Sequence, residues 1–369
     1  MNPFILKNYK SPDYFCDREK ETNSIIKALT NQQDITLYAY RRLGKTALIY
    51  NVFYYLRKDY ICIYADLWGT KTVSEFINEI ANAIIRSNLF ASRKLPQKLT
   101  SFIQSLGTSI SFGVDGTPSV SLNYSEKKQL FKSLEEIFFF LNDQNKKVIL
   151  AIDEFQEITK YEKEFALEAK LRKYVQASNN ISFVFSGSEY HIINEIFNNP
   201  VRPFYVSTRM FSLDIIDEKK YGDFIQKQFK KSKREINDAI IEHVLNITFG
   251  HTFYVQSIFN YLYSLDNLPE SVNDFEIIYL EYLEEKHVYY SELPDRLTNQ
   301  QFACLRAFAL KNKVVAPTSG DFLKFSGVKN SSSMQRVLKT LLDKRYLIKL
   351  DDGYRLYDVF LSHYLKYLN

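Results

Sequence analysis

The stretch Ala39-Tyr-Arg-Arg-Leu-Gly44-Lys45-Thr46 follows the apolar run Ile35-Thr-Leu-Tyr38, and its reading decides the fold. A strand, a tight basic turn and a helix start bring backbone N–H groups together as a cradle for phosphate. There Lys45 reaches the β- and γ-phosphates and the Thr46 hydroxyl ligates Mg2+. Ala39, Arg41, Arg42, Leu43, Gly44 and Ala47 complete the expected phosphate-binding segment. The full pattern opens with glycine, which turns sharply with no Cβ in the way. Ala39 holds that place here, so slight strain is expected in the loop. The competing reading of Lys45 is a solvated lysine at a helix start.

A second stretch, Val148-Ile-Leu-Ala-Ile152-Asp153-Glu154, reads as a buried strand ending in two carboxylates. Asp153 is expected to hold the metal shell, and Glu154 to orient and deprotonate a water. A metal-shell or salt-bridge carboxylate is the alternative weighed for Glu154. Together the two stretches form a nucleotide-hydrolase signature.

The 369 residues suit two or three domains, and 46% apolar with 25% charged residues fits a soluble globular chain. Cys16, Cys62 and Cys304 are far apart and lack metal-ligand spacing, which argues against a disulfide or zinc framework. No secretory h-region opens the chain and no 18-residue apolar span occurs, so a cytoplasmic location is expected.

Further along, apolar periodicity predicts a strand at Tyr60–Asp66, a helix at Val73–Ser87 and a helix at Ser125–Asn142. A helix at Glu164–Ser178 and strands at Ile181–Ser186 and Met210–Leu213 follow. Period-two alternation around Val114-Asp-Gly-Thr-Pro118 predicts a hairpin over Ser109–Tyr124, read as an insertion at about 91–126. Alternating strands and helices imply an α/β fold, a parallel sheet with helices on both faces. Thr46, Asp153, Glu154 and Ser186 would converge at the carboxyl ends of its strands. This core is assigned to residues 1–215.

Residues 216–296 read as a helical lid. Residues 297–369 read as three helices and a hairpin, the pattern of a winged helix-turn-helix. From Thr298 to Asn369 twelve Lys and Arg face five Asp and Glu, a net +7 against +5 for the whole chain. Lys329, Arg336, Lys339, Lys344 and Arg345 lie on or beside the recognition helix, and Lys349 and Arg355 on the wing. Such a patch suits the DNA backbone, with docking on the lid or on a protein as the alternative.

These motifs, taken in order, resemble the archaeal-type ATPases of the AAA+/STAND division of P-loop NTPases, over nearly the whole chain. Phe15-Cys-Asp-Arg18-Glu19 resembles the opening hydrophobic-Gly-Arg-Glu motif, with Asp17 in place of Gly. Its surroundings contact the adenine in the family, which brings in Arg18 and Glu19. Arg41-Arg42-Leu-Gly44-Lys45-Thr46 resembles the phosphate loop with its paired arginines, and Asp153-Glu154-Phe-Gln156 the acidic strand. Phe185-Ser186-Gly187-Ser188 is similar to the sensor strand end, and Arg202-Pro-Phe-Tyr205 follows it. Gly250-His251-Thr252 resembles the lid's Gly-x-Pro element.

The resemblance implies ATP and Mg2+ as cofactors. It makes Ser186 or Ser188 a γ-phosphate sensor, Arg202 or Arg209 a stabiliser of transition-state charge, and His251 a nucleotide contact from the lid. Strand-end serines, ion-paired arginines and a satisfied helix-end histidine are the competing readings. The expected function is a Mg2+-dependent ATP-hydrolysing switch whose winged helix engages DNA or a protein partner, with nucleotide-dependent oligomers in view. A non-hydrolysing nucleotide-binding adaptor for a separate effector is the alternative.

Overall fold

The computed structural model describes residues 1–87, 97–108, 110–113, 118–121, 127–161, 164–350 and 352–367. The chain divides into two compact units, Lys7–Ile216 and Met1–Leu6 with Asp217–Asn369.

The first unit runs α1 (Glu19–Thr30), β1 (Ile35–Tyr38), α2 (Lys45–Leu56), β2 (Ile61–Asp66), α3 (Val73–Arg86) and α4 (Gln97–Ser105). It continues through β3 (Ile110–Phe112), β4 (Pro118–Val120), α5 (Lys127–Asn142), β5 (Val148–Asp153), α6 (Glu164–Ala177), β6 (Ile181–Gly187), α7 (Tyr190–Asn198) and β7 (Arg209–Ser212). Five strands pair in parallel in the order β2-β5-β6-β1-β7. Successive side chains of a strand point to opposite faces, so each strand feeds two apolar layers. Val148, Leu150 and Ile152 of β5 join the layer of α3, α5, α6 and α7, whereas Ile149 and Ala151 join that of α1 and α2. Both faces are thereby covered, as an all-parallel sheet requires.

The hairpin insertion is present as β3 and β4, antiparallel with Ile110 opposite Val120 and separate from the main sheet. Ser109, its tip at 114–117 and residues 122–126 lie outside the described residues. Two helices were not anticipated. α4 buries Leu99, Phe102 and Ile103, and α7 buries Ile193, Ile196 and Phe197; both spacings are helical.

The second unit carries α8 (Glu218–Lys231), α9 (Asp238–Ile247), α10 (Thr252–Ser264), α11 (Val272–Glu284), α12 (His287–Tyr290) and α13 (Leu293–Arg296). After them come α14 (Asn299–Lys311), α15 (Gly320–Ser326), α16 (Ser331–Asp343), β8 (Leu347–Leu350), β9 (Gly353–Leu356) and α17 (Val359–Tyr367). Capping is explicit in this unit: Ser271 and Asp274 form a capping box on α11, Thr298 and Gln301 another on α14.

The winged helix packs on α10 and α11 within this unit. Phe360 of α17 meets Tyr254 and Tyr282 edge-on, and the Tyr279 hydroxyl bonds His363 Nδ1 at 2.5 Å. Phe4 is buried here too, its ring against Phe224, Phe229, Phe259 and Tyr263. Among the described residues no helix is long and apolar enough to cross a membrane.

Asp34 fixes the entry to β1. Its Oδ1 accepts the Phe183 N–H at 2.8 Å, and its carbonyl accepts the Arg209 N–H at 2.9 Å. Burial pushes its carboxyl up to about 6, against the smaller opposing effects of the Phe183 hydrogen bond and Arg172. A carboxyl raised in the fold penalises the native state above that pH, and the penalty fades as pH falls toward its unfolded value. Asp34→Asn keeps the acceptor and loses the charge. Its thermal midpoint should exceed that of the wild type at pH 8, by at most about 3 kcal/mol of stability. The gap should close by about pH 4; an equal gap at both pH values would refute the assignment.

Candidate active site

α2 starts where it does because Gly44 precedes it in a left-handed conformation, φ 97°, which glycine adopts freely. Its first-turn N–H groups lack intrahelical acceptors and form a partial positive charge. Strain is not at Ala39, which has no positive φ; the left-handed positions of the loop are Arg42, φ 65°, and Gly44. Ala39 and Leu43 are buried, and the Ala39 N–H donates to the Gly187 carbonyl at 3.3 Å. The loop is thus anchored from below.

Asp153 is the centre of the cluster. Its Oδ2 accepts from Thr46 Oγ1 at 2.9 Å and from the Tyr64 hydroxyl at 2.7 Å. Its Oδ1 accepts from the Ser186 hydroxyl and from the Glu154 N–H, the latter at 2.9 Å. Burial pushes the carboxyl upward. The Lys45 charge and the hydroxyls of Ser186, Tyr64 and Thr46 together outweigh that and hold it below the usual range. An ionised carboxylate beside an exposed threonine hydroxyl is a hard oxygen donor set, which fits Mg2+. Among the described residues no group of three His, Cys, Asp or Glu side chains forms a metal cluster. The pair therefore suits a cation that takes its other ligands from phosphate and water.

Glu154 sits one residue further, in a left-handed conformation of φ 52° that turns the chain into a 3-10 segment, Phe155–Lys160. Its Oε1 lies 3.7 Å from Lys45 Nζ. Its Oε2 accepts from Ser188 Oγ at 2.7 Å and from the Gln156 amide. Gln156 is fully buried, and only glycine fits beside it: a Cβ on Gly187 would overlap Gln156 Oε1 and the Ile193 side chain. Both oxygens of Glu154 are therefore engaged.

Lys45, Thr46, Asp153, Glu154 and Ser186 come together, as expected of strand ends in such a sheet. The other expected residues have the following surroundings. Arg41 lies over the Trp68 ring at 4.1 Å, while Arg42 is exposed and Ala47 half-buried. Arg18 is buried, bonding Glu21 and the Asp214 carbonyl, whereas Glu19 is exposed. Arg202 forms a buried ion pair with Glu168, matching the ion-paired alternative weighed for it. Arg209 pairs with Ile35 at the start of β7, three residues before the carboxyl end of its strand. His251 belongs to the second unit, where it precedes α10 with its ring 4.9 Å from that of Tyr254.

Tyr64 and Gln156 were not assigned roles from the sequence. Tyr64 faces the same side of β2 as Cys62 and Asp66, but its reach to Asp153 depends on the β2–β5 pairing, which local sequence does not encode. Gln156 belongs to the acidic motif Asp153-Glu154-Phe-Gln156, and nothing in the local sequence assigns it Glu154 as a partner.

Comparison with known proteins gives a consistent picture. A family model described as an ATPase domain predominantly from Archaea matches residues 15–258. A second, described as a probable winged helix domain, matches residues 288–367. No curated protein matches the chain. Among solved structures, a Walker-type ATPase of Pyrococcus abyssi aligns with TM-score 0.66 at 19% identity, covering 99% of both chains. The Orc1 protein of Aeropyrum pernix in complex with DNA aligns with TM-score 0.55 at 12% identity, over 100% of this chain and 96% of that one. The Aeropyrum pernix Orc2 protein in its ADP form gives 0.51 at 13%, over 99% and 95%. At these identities the structural likeness concerns the fold.

The Arg202–Glu168 pair generates a test. Arg202→Met removes the guanidinium from the buried Glu168 pair, and breaking such a pair costs about 3–5 kcal/mol. A lower urea midpoint is expected, with nucleotide affinity unchanged in the folded variant. Unchanged stability with lost affinity would return Arg202 to the site.

Proposed function

The chain belongs to the family of ATPase domains found predominantly in Archaea, and from that premise we propose that it binds ATP with Mg2+, hydrolyses it, and uses the nucleotide state to control a DNA-engaging winged helix. The observation that carries this reading is the meeting of Lys45, Thr46, Asp153 and Glu154 at one edge of the sheet. The first-turn N–H groups of α2 and Lys45 bind the phosphates, while Thr46 and Asp153 hold the cation. When bound, Mg2+ neutralises charge on the phosphate oxygens and orients them.

Glu154 takes the proton of the attacking water. At rest its Oε1 faces Lys45, and its Oε2 is held by Ser188 and Gln156. Phosphate draws Lys45 away, and Oε1 is then left with a proton-accepting lone pair near the γ-phosphate. Ser186 donates to Asp153 and keeps that carboxylate ionised and fixed. Arg41 and Arg42 lie on the loop itself and add positive charge beside the phosphates.

Recognition helix α16 leaves Arg336 and Lys339 exposed, and Lys349 is exposed on the wing. Arg355 turns inward instead, its guanidinium 4.6 Å from the Phe249 ring of the lid. The exposed basic side chains favour a nucleic-acid backbone, and one fold neighbour is an Orc1 protein in complex with DNA. A second reading, a non-hydrolysing adaptor for a separate effector, draws on the full engagement of Glu154 by three side chains.

Steady-state hydrolysis with Mg2+ separates the two readings. Glu154→Gln should keep ATP affinity and lose turnover by about 10²–10⁴-fold, whereas Lys45→Ala should lose binding. Tight binding without turnover in the wild type would select the adaptor. For DNA, Arg336→Glu with Lys339→Glu should weaken duplex binding and flatten its dependence on salt. Equal affinity and slope in wild type and variant would dismiss this surface.

A further inference from the structure

A second cleft, of about 540 Å3, lies beside the edge strand β2. Three elements each turn one face to it. Tyr50, Phe53, Tyr54 and Arg57 fall at helical spacing on α2. Cys62, Tyr64 and Asp66 are alternate residues of β2 and therefore share a side. Glu79, Ala83 and Arg86 lie along one face of α3, and the small Ala83 leaves room opposite the rings. Tyr9 and Lys10 close the remaining side. The volume falls within the range of small-molecule sites, roughly 300–1,000 Å3.

The cleft is polar at its ends and aromatic in the middle. Arg57, at the turn from α2 into β2, supplies a cation at one end and lies 4.4 Å over the Tyr54 ring, and Lys10 is a second cation of the lining. Asp66 and Glu79 supply acceptors at the other; Glu79 is shared with Arg86 at 2.5 Å, and Asp66 Oδ1 takes the Trp68 N–H at 2.9 Å. Between the ends, the Tyr50 and Tyr64 rings lie 5.0 Å apart. A matching ligand has an anion at one end, a planar ring in the middle and hydrogen-bond donors at the far end. A base, sugar and phosphate in sequence meet that description. An amino acid does not, because its ammonium and carboxylate share one carbon.

We propose that this cleft is a second ligand site, taking a nucleoside monophosphate with an amino-bearing base. Its phosphate meets Lys10 and Arg57, its ring stacks on the tyrosines, and its exocyclic amine donates to Asp66. The site is wired to the phosphate loop through one side chain. The Tyr64 ring lines the cleft, and its hydroxyl donates to Asp153 Oδ2, the same oxygen that Thr46 uses. An occupant that shifts the Tyr64 ring alters the carboxylate beneath the metal. That coupling rests on the nucleotide reading of the first site; occupancy of the cleft does not.

Equilibrium dialysis with labelled AMP tests the site on the full chain. Lys45→Ala, which disables the phosphate loop, should still bind one equivalent of AMP. Arg57→Glu, on the far rim, should weaken AMP at least tenfold while leaving ADP affinity unchanged. Tyr64→Phe keeps the ring and loses the hydroxyl. It should bind AMP as the wild type does, yet AMP should no longer change ADP affinity.

Loss of AMP binding in Lys45→Ala together with retention in Arg57→Glu would place AMP in the phosphate loop and overturn the proposal. No AMP binding to the wild type would overturn it as well, as would equal displacement of AMP by inorganic phosphate. If Lys45→Ala leaves ADP affinity intact, the reading of the first site fails, and the Arg57→Glu comparison still decides the second.

Discussion

One buried carboxylate holds the ATPase unit in register. Asp153 is 3% exposed, and an ionised group in that position is costly unless hydrogen bonds and a counter-charge surround it. Its partners come from three other elements, Thr46 of α2, Tyr64 of β2 and Ser186 of β6, with Lys45 as the nearby cation. The same contacts that stabilise the charge therefore tie the phosphate loop to both neighbours of the acidic strand. Any shift of β2 or β6 along β5 would leave Asp153 short of donors. The site and the sheet register are one constraint.

Local features were legible in the sequence because their signals are local. An apolar run before Gly44-Lys45-Thr46 and another before Asp153-Glu154 need no knowledge of the rest of the chain. The winged helix was legible in the same way: three helices and a hairpin were expected over 297–369, and α14, α15, α16, β8 and β9 supply them. What escaped depended on distant pairing. Glu168 is 34 positions from Arg202, and nothing near either residue announces the other. Tyr64 reaches Asp153 only because β2 lies beside β5. α4 and α7 are a different kind of miss: their apolar residues fall at helical spacing, but each helix is only nine residues long, a short window for a helical period to stand out.

The departures from the resembled family's motifs acquire physical reasons from the backbone. Asp17 stands where that family has glycine, and its φ is 54°, followed by 74° at Arg18. Aspartate tolerates this region better than most residues, which fits a turn tied down by Arg18. Thr252 stands where proline is expected and is the first residue of α10. Proline is favoured there because its missing N–H has no intrahelical partner to lose, so threonine forfeits only preorganisation. Ala39 needs no glycine freedom at all. The strained residue of the loop is Arg42, and backbone strain of this kind concentrates at functional sites.

The placement of Met1–Leu6 bears on how the molecule is made. Asn2 and Asn260 exchange hydrogen bonds with one another's segment, at 2.8 Å to the Asn260 carbonyl and 2.6 Å to that of Phe4. These contacts span more than 250 residues, among the most non-local a chain of this length can form, and such closures come late in folding. On the ribosome the first unit, contiguous from Lys7 to Ile216, can complete its sheet before the partners of Met1–Leu6 are made. Phe4 can meet Phe224 and Phe229 first, and its cover is complete only when Phe259 and Tyr263 emerge. Met1–Leu6 are thus made before Lys7–Ile216 yet buried after it, and the second unit cannot finish folding before the first has had time to do so.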